Sequence, residues 1–169
     1  MKDKQITEIE RKFLIKYPDT EFLRGLEGCE RIGISQTYLL CDDGSMRVRR
    51  SVYDDKTVYY RNIKKRISDM SHLEDEKIIS EETYGELLFC RDTSRNTVEK
   101  TRYAFPFGGH IIEVDVYPFW SDRAVLEVEL ESEDEAFDIP PFISVIKEVT
   151  GDKRYSNKAL AKEIVTEEL

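Results

Sequence analysis

The chain has 169 residues, of which 40% are hydrophobic and 36% are charged, and its formal net charge at pH 7 is −9. This length can bury one hydrophobic core, so we expect a single domain over residues 1–169. The acidic excess argues against a nucleic-acid binder, which needs a basic face. No apolar run reaches the roughly 20 residues that span a bilayer, and no signal-peptide core is present, which predicts a cytoplasmic protein without membrane contact. Three widely spaced cysteines predict reduced thiols rather than a disulfide or a zinc site.

Alternating apolar and polar residues predict strands along most of the chain. They lie near residues 6–13, 35–41, 45–53, 57–67, 72–79, 96–104, 109–117 and 123–131. The pairs Asp43-Gly44 and Gly108-Gly109 predict tight turns, because they supply the left-handed backbone that hairpins require. Such turns favour antiparallel neighbours, and this set of strands predicts a barrel or a large curved sheet.

Helices are predicted between and after these strands, over roughly 20–28, 81–91 and 138–151 and after Ser156. Ser80 suits the N-cap of the second helix, and Ser156 suits the N-cap of the last. In the third segment, Pro140 and Pro141 suit a helix start, and the apolar positions 142, 145, 146 and 149 share one helical face before Gly151.

The distinctive feature of the predicted strands is that like charges recur two residues apart. Residues i and i+2 of a strand point to the same side of a sheet, so each pair places its charges on one face. The pairs are Glu8/Glu10 with Lys12 beyond them, Arg47/Arg49, Lys64/Arg66, Glu74/Glu76, Lys100/Arg102, Glu113/Asp115 and Glu127/Glu129. The residues that alternate with the last two pairs are apolar, so these strands pack against something on their other side.

Two arrangements would accommodate the charge pairs. The charged face could be solvated, as one face of many antiparallel sheets is. Random surface decoration would mix signs within each strand, however, whereas here acidic and basic strands are segregated. Closing the sheet with the charges inward predicts a polar tunnel, whose charges need partners, water or a ligand. A polyphosphate with a divalent metal satisfies both signs, since Lys and Arg bind phosphate oxygens and carboxylates bind Mg²⁺ or Mn²⁺.

The segment Glu8-Ile9-Glu10-Arg11-Lys12 resembles the E-x-E-x-K signature of the CYTH proteins, also called triphosphate tunnel metalloenzymes. The later charge pairs, from Arg47-Val48-Arg49 to Glu127-Val128-Glu129, resemble the other strand motifs of that family in the same order. The resemblance covers nearly the whole chain. It implies an α+β fold, in which an eight-stranded antiparallel β-barrel with flanking helices encloses a tunnel, and metal-dependent hydrolysis of a triphosphate.

The resemblance also implies roles for individual residues. The expected catalytic residues are Lys12 and Tyr38, although a place for Tyr38 in the core is equally open. The expected substrate-binding cations are Arg47, Arg49, Lys64, Lys100, Arg102 and Lys158, the last with an exposed helix position as its alternative. The expected ligands of Mg²⁺ or Mn²⁺ are Glu8, Glu10, Glu74, Glu76, Glu113, Asp115, Glu127 and Glu129, with a secondary role for Glu74 and Glu76. His72 and His110 lack metal-binding spacing and are interpreted as incidental.

The small-molecule substrate that the resemblance favours is inorganic tripolyphosphate, split to phosphate and diphosphate, with nucleoside triphosphates as possible further substrates. A thiamine triphosphatase is an alternative, for which Trp120 could stack on the organic group, or Trp120 could merely cover an end of the barrel. Lys2 and Asp3 stand where related class IV adenylyl cyclases carry His-Phe, which disfavours that activity. A module that binds a triphosphate without turnover is the alternative from a different class of function. Both a monomer and a homodimer are compatible with the sequence.

Overall fold

The computed structural model describes residues 6–169, so Lys2 and Asp3 lie outside the described residues. The strands are β1 (Ile6–Lys16), β2 (Glu30–Leu39), β3 (Ser45–Val52), β4 (Thr57–Arg66), β5 (Ser71–Ile79), β6 (Val98–Phe107), β7 (His110–Val116), β8 (Arg123–Leu130) and β9 (Val145–Glu148). The α-helices are α1 (Thr20–Arg24), α2 (Glu81–Leu87) and α3 (Asn157–Leu160), and 3₁₀ turns cover Leu88–Cys90 and Lys153–Tyr155. Within residues 6–169, none of the helices is long and apolar enough to cross a membrane.

The strands form one antiparallel sheet that closes into a barrel. Their order is β5-β4-β3-β2-β6-β7-β8-β1-β9, and β1 also pairs with β5. The closing seam is short, since it joins residues Ile6 to Ile9 of β1 to residues Glu74 to Ser71 of β5. The strands from β1 to β8 therefore make the predicted eight-stranded antiparallel barrel, with a few short helices around it.

Local turn and cap signals explain most of the connections. Gly44, Gly108 and Gly109 have positive φ angles of 75°, 58° and 82°, as their hairpin turns require. The Ser80 side chain accepts a hydrogen bond from the Thr83 backbone N–H at 3.0 Å, which confirms the predicted N-cap of α2. Strand β2 begins five residues earlier than predicted, because Gly33 interrupts its alternation although Glu30 already pairs with β6.

The helix predicted over 138–151 is wrong, because residues Val145–Glu148 form strand β9. The seam with β5 leaves the edge of β1 unpaired beyond Ile9, and β9 pairs with Phe13, Leu14 and Ile15 on that edge. The β-branched residues of the segment also suit a strand. Satisfying exposed backbone groups of β1 outweighs the helical periodicity of a segment that is amphipathic in either conformation.

Alternation along the strands produces two apolar regions. Outside the barrel, Phe13, Ile112, Val114, Leu126 and Val128 pack under Leu23 of α1 and Ile143, so the apolar parity of β7 and β8 is buried as expected. Inside, one end of the barrel is filled by a second cluster. It joins Leu14, Tyr38, Val98, Tyr117, Trp120 and Val125 to Val149, Tyr155, Leu160 and Ala161 from the C-terminal segment. The remaining interior positions are predominantly polar.

Candidate active site in the barrel

The closed barrel sorts its interior charges by sign. We use "acidic half" for the neighbouring strands β5, β1, β8 and β7, and "basic half" for β4, β3, β2 and β6. The acidic half carries Glu74, Glu76, Glu8, Glu10, Glu127, Glu129, Glu113 and Asp115, together with Lys12. The basic half carries Lys64, Arg66, Arg47, Arg49, Lys100 and Arg102. The segregation seen strand by strand in the sequence thus becomes a segregation between two walls of one interior.

The two walls enclose a cavity of about 880 Å³. The predicted site residues that line it are Glu8, Glu10, Lys12, Tyr38, Arg47, Arg49, Lys64, Glu74, Glu76, Arg102, Glu113, Glu127, Glu129 and Lys158. Lys100 and Asp115 are the predicted site residues that do not line it. Most of the predicted set is therefore brought together around one cavity.

Lys100 and Asp115 lie behind the cavity wall. The Lys100 ammonium donates to Asp115 at 2.6 Å, and both side chains are fully buried. Asp115 also accepts two hydrogen bonds from Arg102, at 2.7 and 2.9 Å. Burial would raise the pKa of Asp115, but Arg102 and Lys100 hold it below its ordinary value, whereas burial lowers the pKa of Lys100 to about 8 against the attraction of Asp115. In this structure the pair supports Arg102 from behind.

Glu127 and Lys12 form the centre of the acidic half. They face each other directly across β8 and β1, and the Lys12 ammonium lies 3.2 Å from a Glu127 oxygen. Arg102 reaches the other Glu127 oxygen at 3.4 Å. Burial would raise the pKa of Glu127, but Lys12 and Arg102 hold it well below its ordinary value. Burial likewise opposes the charge of Lys12, yet Glu127 and Glu10 raise its pKa above normal. Both groups are charged at neutral pH.

Other carboxylates of the acidic half are crowded by like charges. Glu10 lies directly opposite Glu129, and Glu113 lies directly opposite Glu127. Burial and the charge of Glu127 raise the pKa of Glu10 to about 7. Burial also raises the pKa of Glu113 to about 7, with Glu127 adding to the effect although Arg102 contacts Glu113 and opposes it. Burial and Glu10 raise the pKa of Glu129. These side chains gather many carboxylate oxygens in one place, and their burial and mutual proximity disfavour the charged form.

This excess of carboxylate oxygens is the chemistry that a hard divalent cation requires. Within residues 6–169, no group of three or more Asp, Glu, His or Cys side chains is already gathered closely enough to hold a metal ion. Several candidate ligands are instead held by cations, as in the contact of Lys64 with Glu8 at 3.3 Å and with Glu10 at 4.0 Å. The donor set fits a divalent ion in type and charge, provided that the ion displaces these internal partners.

Glu74 and Glu76 are engaged by a neutral residue that the sequence interpretation did not select. The Asn62 amide nitrogen donates to a Glu76 oxygen at 3.3 Å and also to Glu74. Asn62 is almost fully buried and lies opposite Glu76 across β4 and β5. Asn62 thereby fixes the two carboxylates where β5 meets the basic half.

The two arginines of β3 are held differently from the other cations. Gln36 of β2 lies directly opposite Arg49, and its amide oxygen accepts from Arg49 Nε and Nη2 at 3.3 and 3.2 Å. Tyr38 lies directly opposite Arg47. Burial together with Arg47 and Arg102 lowers the pKa of Arg49 to about 10, so its guanidinium stays charged at neutral pH. Both arginines point into the cavity with neutral residues beside them.

Gln36, Asn62 and His72 are interior strand residues that the sequence interpretation did not select. Each lies two positions from a predicted site residue on the same strand face, before Tyr38, Lys64 and Glu74 respectively. His72 lines the cavity and is not incidental in position; burial and Lys64 lower its pKa. A search for charge pairs alone passes over these uncharged positions, whereas the strand period by itself would have found them.

The C-terminal segment brings Lys158 to the cavity. Ser156 caps α3, accepting a hydrogen bond from the Ala159 backbone N–H at 3.1 Å, as predicted. The Lys158 ammonium donates to the Gly44 carbonyl at 3.2 Å, in the turn between β2 and β3. The expected cavity position of Lys158 is therefore observed, and its partner there is a backbone carbonyl rather than a carboxylate.

Comparisons with known proteins agree with this geometry. No family model matches the chain. An inorganic triphosphatase from Nitrosomonas europaea is 37% identical over 164 residues, which cover 94% of this chain and 99% of the relative. An inorganic triphosphatase from Acetivibrio thermocellus is 35% identical over 159 residues, which cover 92% of this chain and 93% of the relative. The chain belongs to the CYTH family of triphosphate tunnel metalloenzymes, with the inorganic triphosphatases as its relatives.

Solved structures support the same placement of this CYTH protein. The crystal structure of an inorganic triphosphatase matches with a TM-score of 0.57 and 35% identity, covering 94% of this chain and 97% of the other. A putative adenylate cyclase from Bacillus halodurans matches with a TM-score of 0.50 and 16% identity, covering 96% of this chain and 95% of the other. The second match shows the barrel fold alone.

Proposed function

We propose that this protein hydrolyses inorganic tripolyphosphate to phosphate and diphosphate in a metal-dependent reaction, acting in the cytoplasm as a single domain over residues 1–169. The observation that supports the proposal is that one cavity has an acidic wall and a basic wall whose charges are not fully paired within the protein. The acidic half holds crowded carboxylates around Glu10, Glu113 and Glu129, and the basic half holds Arg47 and Arg49 beside neutral residues. A triphosphate with a divalent metal supplies the missing charge of each wall.

The residues have separate roles in this proposal. Glu8, Glu10, Glu113, Glu127 and Glu129 hold Mg²⁺ or Mn²⁺. When bound, such an ion would supply neutralisation of phosphate charge and activation of the attacking water, as divalent ions do in phosphoryl transfer. Glu74 and Glu76 line the cavity and are held by Asn62, whereas Asp115 acts from behind the wall through Lys100 and Arg102.

The cations bind the phosphate oxygens in this proposal. Arg47, Arg49, Lys64, Arg102 and Lys158 line the cavity and grip the triphosphate. Lys12, beside Glu127, neutralises the charge that develops on the reacting phosphoryl group. Tyr38 orients Arg47 from the opposite strand position.

The surroundings of Trp120 favour an inorganic substrate over thiamine triphosphate. Trp120 is 7% exposed, packs against Tyr117 and donates its ring N–H to the Val165 carbonyl at 2.9 Å. It therefore covers one end of the barrel and is not available to stack on an organic group. In the described part of the chain, Tyr38 and His72 are the aromatic side chains that line the cavity. This lining suits phosphates better than a planar ring.

Phosphate release tests the proposal directly. Purified protein is incubated with tripolyphosphate, ATP or thiamine triphosphate and with Mg²⁺, Mn²⁺ or EDTA. We expect release to be fastest with tripolyphosphate and absent in EDTA. Binding of tripolyphosphate without release under every metal condition would instead identify a binding module, and faster release from thiamine triphosphate would reassign the substrate.

A further inference from the structure

The cations that the barrel strands present to the cavity fall into two groups according to their partners. Lys12, Lys64 and Arg102 each have at least one carboxylate oxygen within 4.0 Å. Among the carboxylates of residues 6–169, none lies within 4.0 Å of Arg47 or Arg49. An anion that approaches the first group must displace an internal carboxylate, whereas an anion that approaches the β3 arginines displaces none.

Gln36 gives Arg49 a neutral partner in place of a carboxylate. Its amide oxygen accepts two hydrogen bonds from the guanidinium, at 3.3 and 3.2 Å, and so fixes the direction of the side chain. Gln36 is 0% exposed, and it does not line the cavity. A glutamate at this position would have nearly the same shape but would neutralise Arg49, so the neutral amide keeps the cation both oriented and uncompensated.

The amide group of Gln36 also has a cost to folding. Its nitrogen Nε2 is buried and has no hydrogen-bond partner among the described residues. A buried polar atom without a partner destabilises the folded state, and an apolar side chain at this position would avoid that loss. The hydrogen bonds to Arg49 are what the carboxamide provides that an apolar residue does not.

We propose that Gln36 is a positioning residue that keeps Arg49, beside Arg47 on β3, ready to bind a phosphate group of the substrate before any metal is present. Lys12, Lys64 and Arg102 engage phosphate afterwards, once a divalent ion has taken their carboxylates. The inference rests on the proposed function in that an inorganic triphosphate is the ligand. It adds an order of events and a residue that acts through Arg49.

Binding in EDTA tests the inference without turnover. Isothermal titration of the full chain with inorganic tripolyphosphate in EDTA should give measurable binding, and the melting temperature should rise, since the ligand binds only the folded state. Gln36→Glu, which places a carboxylate opposite Arg49, should weaken this binding by about tenfold or more. Gln36→Met, which keeps the length but removes the acceptor, should weaken it by about threefold to tenfold, because Arg49 loses its orientation.

The control is Arg50→Gln, because Arg50 is exposed on the opposite face of β3 and its replacement changes the net charge as much as Gln36→Glu does. It should bind as the wild type does. With metal present, Gln36→Met should raise KM and leave kcat within about twofold, the pattern of lost uniform binding. A purely structural role would lower the melting temperature of the ligand-free variant without this separation of KM from kcat.

The inference is overturned if the wild type does not bind tripolyphosphate in EDTA, or if both Gln36 variants bind as the wild type does. If Gln36→Glu does not fold, as judged by circular dichroism, Gln36→Met decides the outcome. Binding in EDTA together with no phosphate release under any metal condition would support the inference and reject the proposed hydrolysis. Hydrolysis with metal but no binding in EDTA would support the proposed function and reject the inference.

Discussion

The acidic and the basic half of the barrel treat their charges in different ways. In the acidic half, Glu10 faces Glu129 and Glu113 faces Glu127, so like charges meet across neighbouring strands, and a single interior lysine, Lys12, lies among them in the described residues. In the basic half, Arg47 and Arg49 face the neutral residues Tyr38 and Gln36. Carboxylates repel one another in the acidic half, whereas the β3 arginines of the basic half have neutral partners and stay available to an anion.

This difference indicates what each wall requires from a ligand. The carboxylates already bind cations of the protein, so an external cation must compete with Lys12, Lys64 and Arg102 for them. The β3 arginines have no such competitor among the described carboxylates. A metal that takes the carboxylates also frees lysine and arginine side chains for phosphate, so metal and triphosphate should strengthen each other's binding.

The largest expected effect comes from removing charge at the centre of the acidic half. Glu127→Gln keeps the shape of the side chain and drops its charge, so we expect kcat for tripolyphosphate to fall by about 10²- to 10³-fold. Steady-state phosphate release with Mg²⁺ or Mn²⁺ measures it. Glu148→Gln is the matched control, because Glu148 pairs with Arg11 outside the cavity. Full activity of Glu127→Gln at saturating substrate and ordinary metal concentration would show that Glu127 is not an essential metal ligand.

The next comparison separates the two halves kinetically. Arg49→Ala should raise KM by about tenfold or more with little change in kcat, since Arg49 binds ground and transition states alike. Lys12→Ala should lower kcat by roughly tenfold to a hundredfold, because Lys12 lies beside Glu127 at the reacting centre. Arg49→Lys should not restore KM fully, because an ammonium lacks the planar two-point grip. The same kinetic pattern in both alanine variants would contradict the assignment of binding to Arg49 and of turnover to Lys12.

Burial and like charges in the acidic half predict a pH dependence of stability in the metal-free protein. The pKa values of Glu10 and Glu113 are raised to about 7 in the folded state, against 4.5 as the ordinary value. Between these values the folded state binds more protons than the unfolded state, so the stabilisation present below pH 4.5 is lost as the pH rises through 7. In EDTA, the melting temperature should therefore fall by several degrees between pH 5 and pH 8.

Glu10→Gln is the variant that checks this origin, because it removes one of the two titrating groups. It should make the fall in melting temperature with pH shallower and should raise the melting temperature at pH 8. Glu148→Gln, outside the cavity, serves again as the comparison. An identical slope in Glu10→Gln and the wild type would show that the pH dependence arises elsewhere.

The smallest expected effect concerns the cation that belongs to neither half. Lys158 reaches the cavity from α3 and donates to the Gly44 carbonyl, so it is free to move to a phosphate oxygen at little cost. Lys158→Ala should raise KM by about twofold to fivefold with kcat unchanged, since one half-buried charge at the mouth of the cavity contributes little. Lys162→Ala, on the same segment and outside the cavity lining, is the control. A large fall in kcat in Lys158→Ala would place Lys158 in the chemistry instead.

Several properties of this protein follow from the sequence alone, because they depend on local periodicity. A strand places residues i and i+2 on one face, so pairs such as Glu127/Glu129 and Arg47/Arg49 had to share a side whatever the strands paired with. Apolar residues between Glu113 and Asp115 and on either side of them predicted a buried outer face, and the structure confirms it. The turn glycines and the serine N-caps of α2 and α3 could likewise be predicted from the sequence. The order of the motifs pointed to the family.

Tertiary structure decided which charges meet, because strand register joins residues that are far apart in the sequence. Only the pairing of β6 with β7 buries Lys100 against Asp115 and removes both from the cavity wall, and only the pairing of β2 with β3 places neutral Gln36 against Arg49. The edge of β1 turned the predicted C-terminal helix into β9 for the same reason. Periodicity assigns a side chain to a face, but its partner, and hence its charge state and its freedom to bind a ligand, is fixed by contacts that no local pattern encodes.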